Sequence, residues 1–129
     1  MGVNPENKLT IKATVTKAML ADSVGSGSLK VLATPAVAAI MENAACQLAQ
    51  KHLDDICTTV GTEISIFHTS PTPVNSEITV SAVLEKTEGR EFYFSLTACD
   101  GCGVIARGTH TRVSVKKESF QRKADEKFD

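Results

Sequence analysis

One strongly periodic helix stands in a chain that otherwise reads as strands, and this limits the fold more than any other feature. Thr34 precedes Pro35, an N-cap residue type followed by one suited to the first helical position. From residue 35 to about residue 51, Val37, Ile40, Met41, Ala44 and Leu48 fall on one stripe at helical spacing. Upstream, residues 9–17 alternate, with Leu9, Ile11, Ala13 and Val15 on one face and Thr10, Lys12, Thr14 and Thr16 on the other, which predicts a half-buried strand. A glycine- and serine-rich stretch over residues 22–28 predicts a loop. After about Thr59 the pattern predicts four strands, over residues 62–69, 77–87, 91–99 and 103–116. Pro71 and Pro73 separate the first two. Glu88-Gly89-Arg90 and Asp100-Gly101 supply turns, the second predicting a two-residue hairpin flanked by Cys99 and Cys102. From Glu118 onward the chain is charged and polar, a frayed tail or a short helix.

Strands joined by short turns make an antiparallel sheet, and the apolar stripe of the helix must be buried against it. The expectation is therefore an α+β fold, a long helix packed on an antiparallel sheet of about five strands. With 129 residues there is room for one domain, taken as residues 1–129 with 118–129 as a polar tail. Such a sheet covers the helix on one side only. Its other face and its edges predict pairing with a second copy.

Composition removes several function classes. Lys+Arg is 14 and Asp+Glu is 15, a formal net charge of −1 that does not suit displacement of counterions from nucleic acid. Five Phe, one Tyr and no Trp make a thin supply of rings for stacking single strands. The N-terminal residues lack a basic stretch followed by an apolar run, and no apolar run approaches the roughly 20 residues of a membrane span. Gly2 is followed by Glu at position 6, where an acylation motif wants Ser or Thr. Cytoplasm is the expected compartment. Cys99 and Cys102 form C-x-x-C, but Cys46 and Cys57 do not form the second pair that a structural zinc site wants, so no metal or other cofactor is expected.

Three residues stand out for chemistry. Thr34 lies at the helix start, where free N–H groups and the positive end of the dipole suit a carbonyl oxygen or an oxyanion; plain capping is the alternative. Glu42 shares its side of the helix with Ala38, Ala45 and Ala49, a strip of small side chains that lets a ligand or another chain come close; the alternative is an exposed, solubilising glutamate. His68 ends a strand just before a proline-rich loop, a position for a general base or for an ordinary hydrogen-bonded ring. His52 follows Lys51 at the helix end, and His110 alternates with threonines and arginines in a strand, so both carry less weight. No nucleophile elbow, phosphate loop or dinucleotide fingerprint is present.

Val31-Leu32-Ala33-Thr34-Pro35, followed by Ile40-Met41-Glu42-Asn43-Ala44-Ala45, resembles the helix entry of the hotdog-fold thioesterases related to fluoroacetyl-CoA thioesterase. The likeness continues at Gly61-Thr62, at His68-Thr69, at Thr72-Pro73, at Glu88-Gly89-Arg90 and at Gly108-Thr109-His110 with Arg112. It runs from the first strand to about Phe120. The resemblance implies a hotdog fold, a homodimer paired through the sheets, and hydrolysis of an acyl-CoA thioester at the dimer interface. It implies Thr34, Glu42 and His68 as catalytic, Gly61 as a glycine whose backbone contacts the substrate, and Arg112 as an arginine near it. Glu42 would attack the thioester directly or activate water. His68 would orient water or protonate the leaving group, and Thr34 would hydrogen-bond Glu42 or the substrate. The fluoroacetyl-specific enzyme closes its acyl pocket with phenylalanines before the Ala-Thr motif, whereas residues 17–33 here hold no aromatic side chain. The expected substrate is therefore a short or medium acyl-CoA. The competing readings are a non-catalytic acyl-CoA-binding module and a dehydratase, whose motif the sequence lacks.

Overall fold

The computed structural model describes residues 5–129; Gly2, considered above for acylation, lies outside them. The elements in chain order are β1 (Lys8–Thr14), α1 (Ala21–Val24), α2 (Thr34–Gln50), β2 (Cys57–His68), β3 (Glu77–Glu88), β4 (Glu91–Asp100), β5 (Gly103–Lys116) and α3 (Lys117–Asp125). All five strands form one antiparallel sheet in the order β1-β3-β4-β5-β2. β1 and β2 follow one another in sequence yet occupy opposite edges, and α2 carries the chain between them across the inner face of the sheet. This is the α+β arrangement that the patterns predicted.

The core forms where α2 meets that face. Val37, Met41, Ala44, Ala45, Leu48 and Ala49 of the helix are buried against Ile78, Val80, Ala82 and Leu84 of β3 and Phe92, Phe94, Leu96 and Ala98 of β4. Strict alternation along β3 and β4 sends every second side chain inward. The predicted helix stripe is thus the buried one, with Ile40 packed at its margin.

Several boundaries differ from the sequence patterns. β1 ends at Thr14 rather than residue 17, and a 3-10 turn over Lys17–Met19 follows. The helix N-cap is Ala33, not Thr34, and no side chain caps the first turn. Leu32 bridges Leu20 and donates its N–H to the Thr72 carbonyl, and Ala33 donates to Met19, so the chain stays extended through Ala33 and turns only at Thr34. The glycine-rich stretch contains α1, because burial of Leu20 and Ala21 folds the chain back on itself there. β2 begins at Cys57 rather than Thr62, carried by ladder pairing with the far end of β5 and not by alternation. The β4–β5 loop is Gly101-Cys102 instead of Asp100-Gly101. Asp100 pairs with Gly103, and its carboxylate accepts the Thr72 hydroxyl at 2.8 Å and the Cys102 N–H at 2.8 Å, which fixes it as the last residue of β4. All four cysteines are free thiols. Among the described residues, no group of three or more His, Cys, Asp or Glu side chains is placed to hold a metal ion, and no helix is long and apolar enough to cross a membrane.

Candidate active site

β2 carries two of the predicted site residues, one toward each end. At its C-terminal end His68 meets the start of α2. The Thr34 hydroxyl lies 2.7 Å from His68 Nδ1. That bond explains why Thr34 does not cap its own helix: the hydroxyl is turned toward the ring. His68 Nε2 is buried and has no hydrogen-bond partner, a costly state unless a further group comes to meet it. The pair opens onto a cleft of about 280 Å³, walled by Ala21, Val31, Leu32 and Ala33.

The second cluster lies two turns along α2. Glu42 leaves the helix beside Ala45 and Ala49, both fully buried, and its own side chain is 44% exposed. Arg112 of β5 reaches toward it, Nη1 to Oε2 at 4.0 Å, while itself only 6% exposed. The guanidinium is held from behind. Nε donates to the Thr59 hydroxyl at 2.7 Å, Nη2 donates to the Thr59 carbonyl at 2.9 Å, and Nη1 lies 3.1 Å from His110 Nε2. The Glu63 carbonyl, 2.7 Å from His110 Nδ1, can only accept, so Nδ1 carries the hydrogen and Nε2 is left to accept from Arg112. Burial, with the Arg112 cation adding to it, holds the His110 ring below its ordinary pKa, against the opposing pull of the Glu63 carbonyl and Glu42. The ring is therefore neutral at pH 7.

Gly61 sits between these groups. A Cβ there would come within 3.0 Å of both Glu42 Oε2 and His110 Cε1 and 3.5 Å of Arg112 Nη1. The missing side chain is what lets the carboxylate and the guanidinium approach over the strand. Thr62 is an extra residue in the β2–β5 ladder, which pairs Gly61 with Arg112 and then Glu63 with Thr111. The bulge keeps both Gly61 and His68 on the helix side despite their odd separation.

The predicted residues thus gather in two groups, Thr34 with His68 and Glu42 with Gly61 and Arg112. Thr34 and Glu42 are eight helical positions apart, roughly 12 Å along the axis. Among the described residues, no hydrogen bond or ion pair joins Glu42 to Thr34 or to His68.

Comparison with known proteins bears on this arrangement. The family model described as fluoroacetyl-CoA-specific thioesterase matches residues 15–118. The chain belongs to that family. The fluoroacetyl-CoA thioesterase of Streptantibioticus cattleyicolor is 34% identical over 98 residues, 76% of this chain and 70% of that protein. A solved structure of a phenylalanine-to-alanine variant of the fluoroacetyl-CoA-specific thioesterase, in complex with fluoroacetate and CoA, superposes with a TM-score of 0.87 at 28% identity, covering 93% of this chain and 98% of that one. A hot-dog-like protein from Thermanaerovibrio acidaminovorans reaches a TM-score of 0.85 at 19% identity, over 95% and 90% of the two chains, and supports the hotdog fold.

Within this thioesterase family the chain keeps a cleft beside Thr34 and His68 whose lining holds no Phe, Tyr or Trp. Two polar residues of the Glu42 cluster are not among those the sequence singles out for chemistry: His110, which carries less weight there because it alternates with threonines and arginines, and Thr59. The available signal was register: His110 and Arg112 share the two-residue period, so they face the same side of the sheet.

Proposed function

We propose that this protein hydrolyses a short or medium acyl-CoA to the free acid and CoA, as a homodimer joined along β2, in the cytoplasm. The observation that carries the reading is that the two half-sites lie toward opposite ends of one open sheet edge. β1, the other edge, has seven residues including Lys8 and Lys12, charges that discourage pairing. β2 has twelve, with residues 61–65 exposed and Phe67 71% exposed. With Thr62 bulged out of the count, antiparallel pairing of two such edges about a two-fold at Ser65 sets Gly61 of one protomer opposite the partner's His68. Each dimer then holds two composite sites, with Glu42, Gly61 and Arg112 from one chain and Thr34 and His68 from the other.

In that site the Gly61 backbone meets the thioester oxygen, which gains charge as the carbonyl becomes tetrahedral. Glu42 delivers oxygen to the carbonyl carbon, itself or through water that it deprotonates. Arg112 steadies the carboxylate without closing a tight pair on it. With Thr34 donating to Nδ1, His68 carries its hydrogen on Nε2 and donates it as a hydrogen bond to the departing CoA thiolate, which leaves as the anion and takes its proton from solvent. The family membership supports thioester chemistry. The lack of rings in the cleft wall supports acyl groups larger than fluoroacetyl.

The test is a panel from fluoroacetyl- and acetyl-CoA to octanoyl-CoA, followed by release of free thiol. Turnover is expected with at least one straight-chain member at a higher kcat/KM than with fluoroacetyl-CoA. Tight binding of every member with no thiol released would instead assign a non-catalytic module. The dimer has its own measurement. Ile64→Glu places like charges about the two-fold and is expected to yield a monomer by light scattering, with activity down by about 100-fold or more. A wild-type monomer with full activity would remove the composite site.

A further inference from the structure

Beyond the Gly61–Arg112 pair, β2 and β5 run on to a second opening. A groove of about 430 Å³ lies between the end of β5, Cys57 of β2, Arg90 in the β3–β4 turn, and α3. Arg90, Lys116 and Lys123 line it, and no carboxylate does. Lys30, Lys86 and Arg122 are each paired on the surface, with Asp22, Glu88 and Glu118, while the groove brings three cations together on one wall. Among the described residues, none of the three groove cations has an ion-pair partner. In a chain of net charge −1 this is a local concentration of unneutralised positive charge and not a bulk property. The ring of Phe120, 40% exposed, forms part of the wall. Free cations beside an exposed ring are complementary to a phosphorylated nucleotide, whose phosphates take the charges and whose base stacks.

Position narrows the occupant. Lys116 pairs with Cys57 as Arg112 pairs with Gly61, and Ser114 and Lys116 continue the row of β5 that holds His110 and Arg112. The groove thus lies about four residues, roughly 13 Å, along the same two strands from the Glu42 cluster. A CoA thioester has its reacting sulfur and its nucleotide at opposite ends of a pantetheine arm, comparable in reach with about four residues of extended chain.

We propose that this groove holds the 3′-phospho-ADP half of the CoA substrate, with Arg90, Lys116 and Lys123 on its phosphates and Phe120 against its adenine. The inference rests on the thioesterase reading for the identity of the nucleotide. Its test does not need turnover. Adenosine 3′,5′-bisphosphate and CoA are titrated calorimetrically into the wild type, into the double variant Lys116→Glu/Lys123→Glu and into Phe120→Ala, with thermal unfolding as the control for fold. Expected are weakening of both ligands by about ten-fold or more in the charge-reversed protein and by about three-fold or more in Phe120→Ala. The kinetic counterpart is the preference for acyl-CoA over the matching acyl-pantetheine, which falls by about ten-fold or more in the double variant. Equal affinities across folded variants, or no binding of the bisphosphate to wild type, overturns the groove whether or not acyl-CoA is hydrolysed. Bisphosphate binding lost in the variants, in a protein that hydrolyses no acyl-CoA, leaves the groove standing and removes the thioesterase reading.

Discussion

Glu42→Ala is expected to lower kcat/KM on the best acyl-CoA by about 1,000-fold or more, while changing the free energy of unfolding by under about 0.5 kcal/mol. The two halves of that expectation come from different parts of the structure. The side chain is 44% exposed and its one charged neighbour is at 4.0 Å, so the carboxylate contributes little to the fold. Arg112 keeps its bonds to Thr59 and His110 when Glu42 is truncated, so no buried donor is newly orphaned. In the proposed site the rate depends on the carboxylate because it lies over Gly61, placed to supply or activate an oxygen nucleophile. Glu42→Gln keeps the shape and the hydrogen-bonding atoms but neither attacks nor accepts a proton usefully, and it is expected to lose as much as Glu42→Ala. Stopped-thiol assays with both variants, beside thermal unfolding, decide the matter. A glutamine variant with near wild-type turnover would return Glu42 to the solvated face that the sequence also allowed.

What the sequence made legible is what local pattern controls. The helix over residues 34–50 and the alternation of β3 and β4 follow from side-chain period, and both stand in the fold. The errors fall where a distant partner decides. Thr34 looked like a cap because its neighbours cannot reveal that its hydroxyl meets His68, thirty-four positions on. The strand pattern starts only at Thr62, because Cys-Thr-Thr-Val-Gly does not alternate, yet β5 pairs with residues 57–61 too. His110 carries little weight in the sequence because the carbonyl that orients its ring comes from Glu63, forty-seven positions earlier. Glu42 is intermediate: the alanine strip marked it, but only register shows that a glycine and a buried arginine face it from the sheet.

Arg112→Leu is expected to destabilise the fold by about 3 kcal/mol, a fall in Tm of about 10–15 °C for a chain of this size. Three bonds are lost together. The Thr59 hydroxyl, the Thr59 carbonyl and His110 Nε2 each lose a donor in a buried setting. Arg112→Lys restores the charge but not the fork, so it can serve only part of this set and is expected to fall between wild type and Arg112→Leu. These two variants alone would not separate a structural arginine from one that serves the site, since both roles predict a loss. The triple variant Thr59→Val/His110→Phe/Arg112→Leu does so. It removes the Thr59 hydroxyl and the His110 ring along with the guanidinium, so that only the main-chain carbonyls of Thr59 and Glu63 lose a donor, and apolar replacement of buried polar side chains is often neutral or stabilising. Thermal unfolding is expected to recover part of the lost stability, while thiol release from acyl-CoA remains down by about 100-fold or more, because Glu42 then faces an apolar wall. If activity returned together with stability, the buried arginine would be there for the fold and Glu42 would work without it.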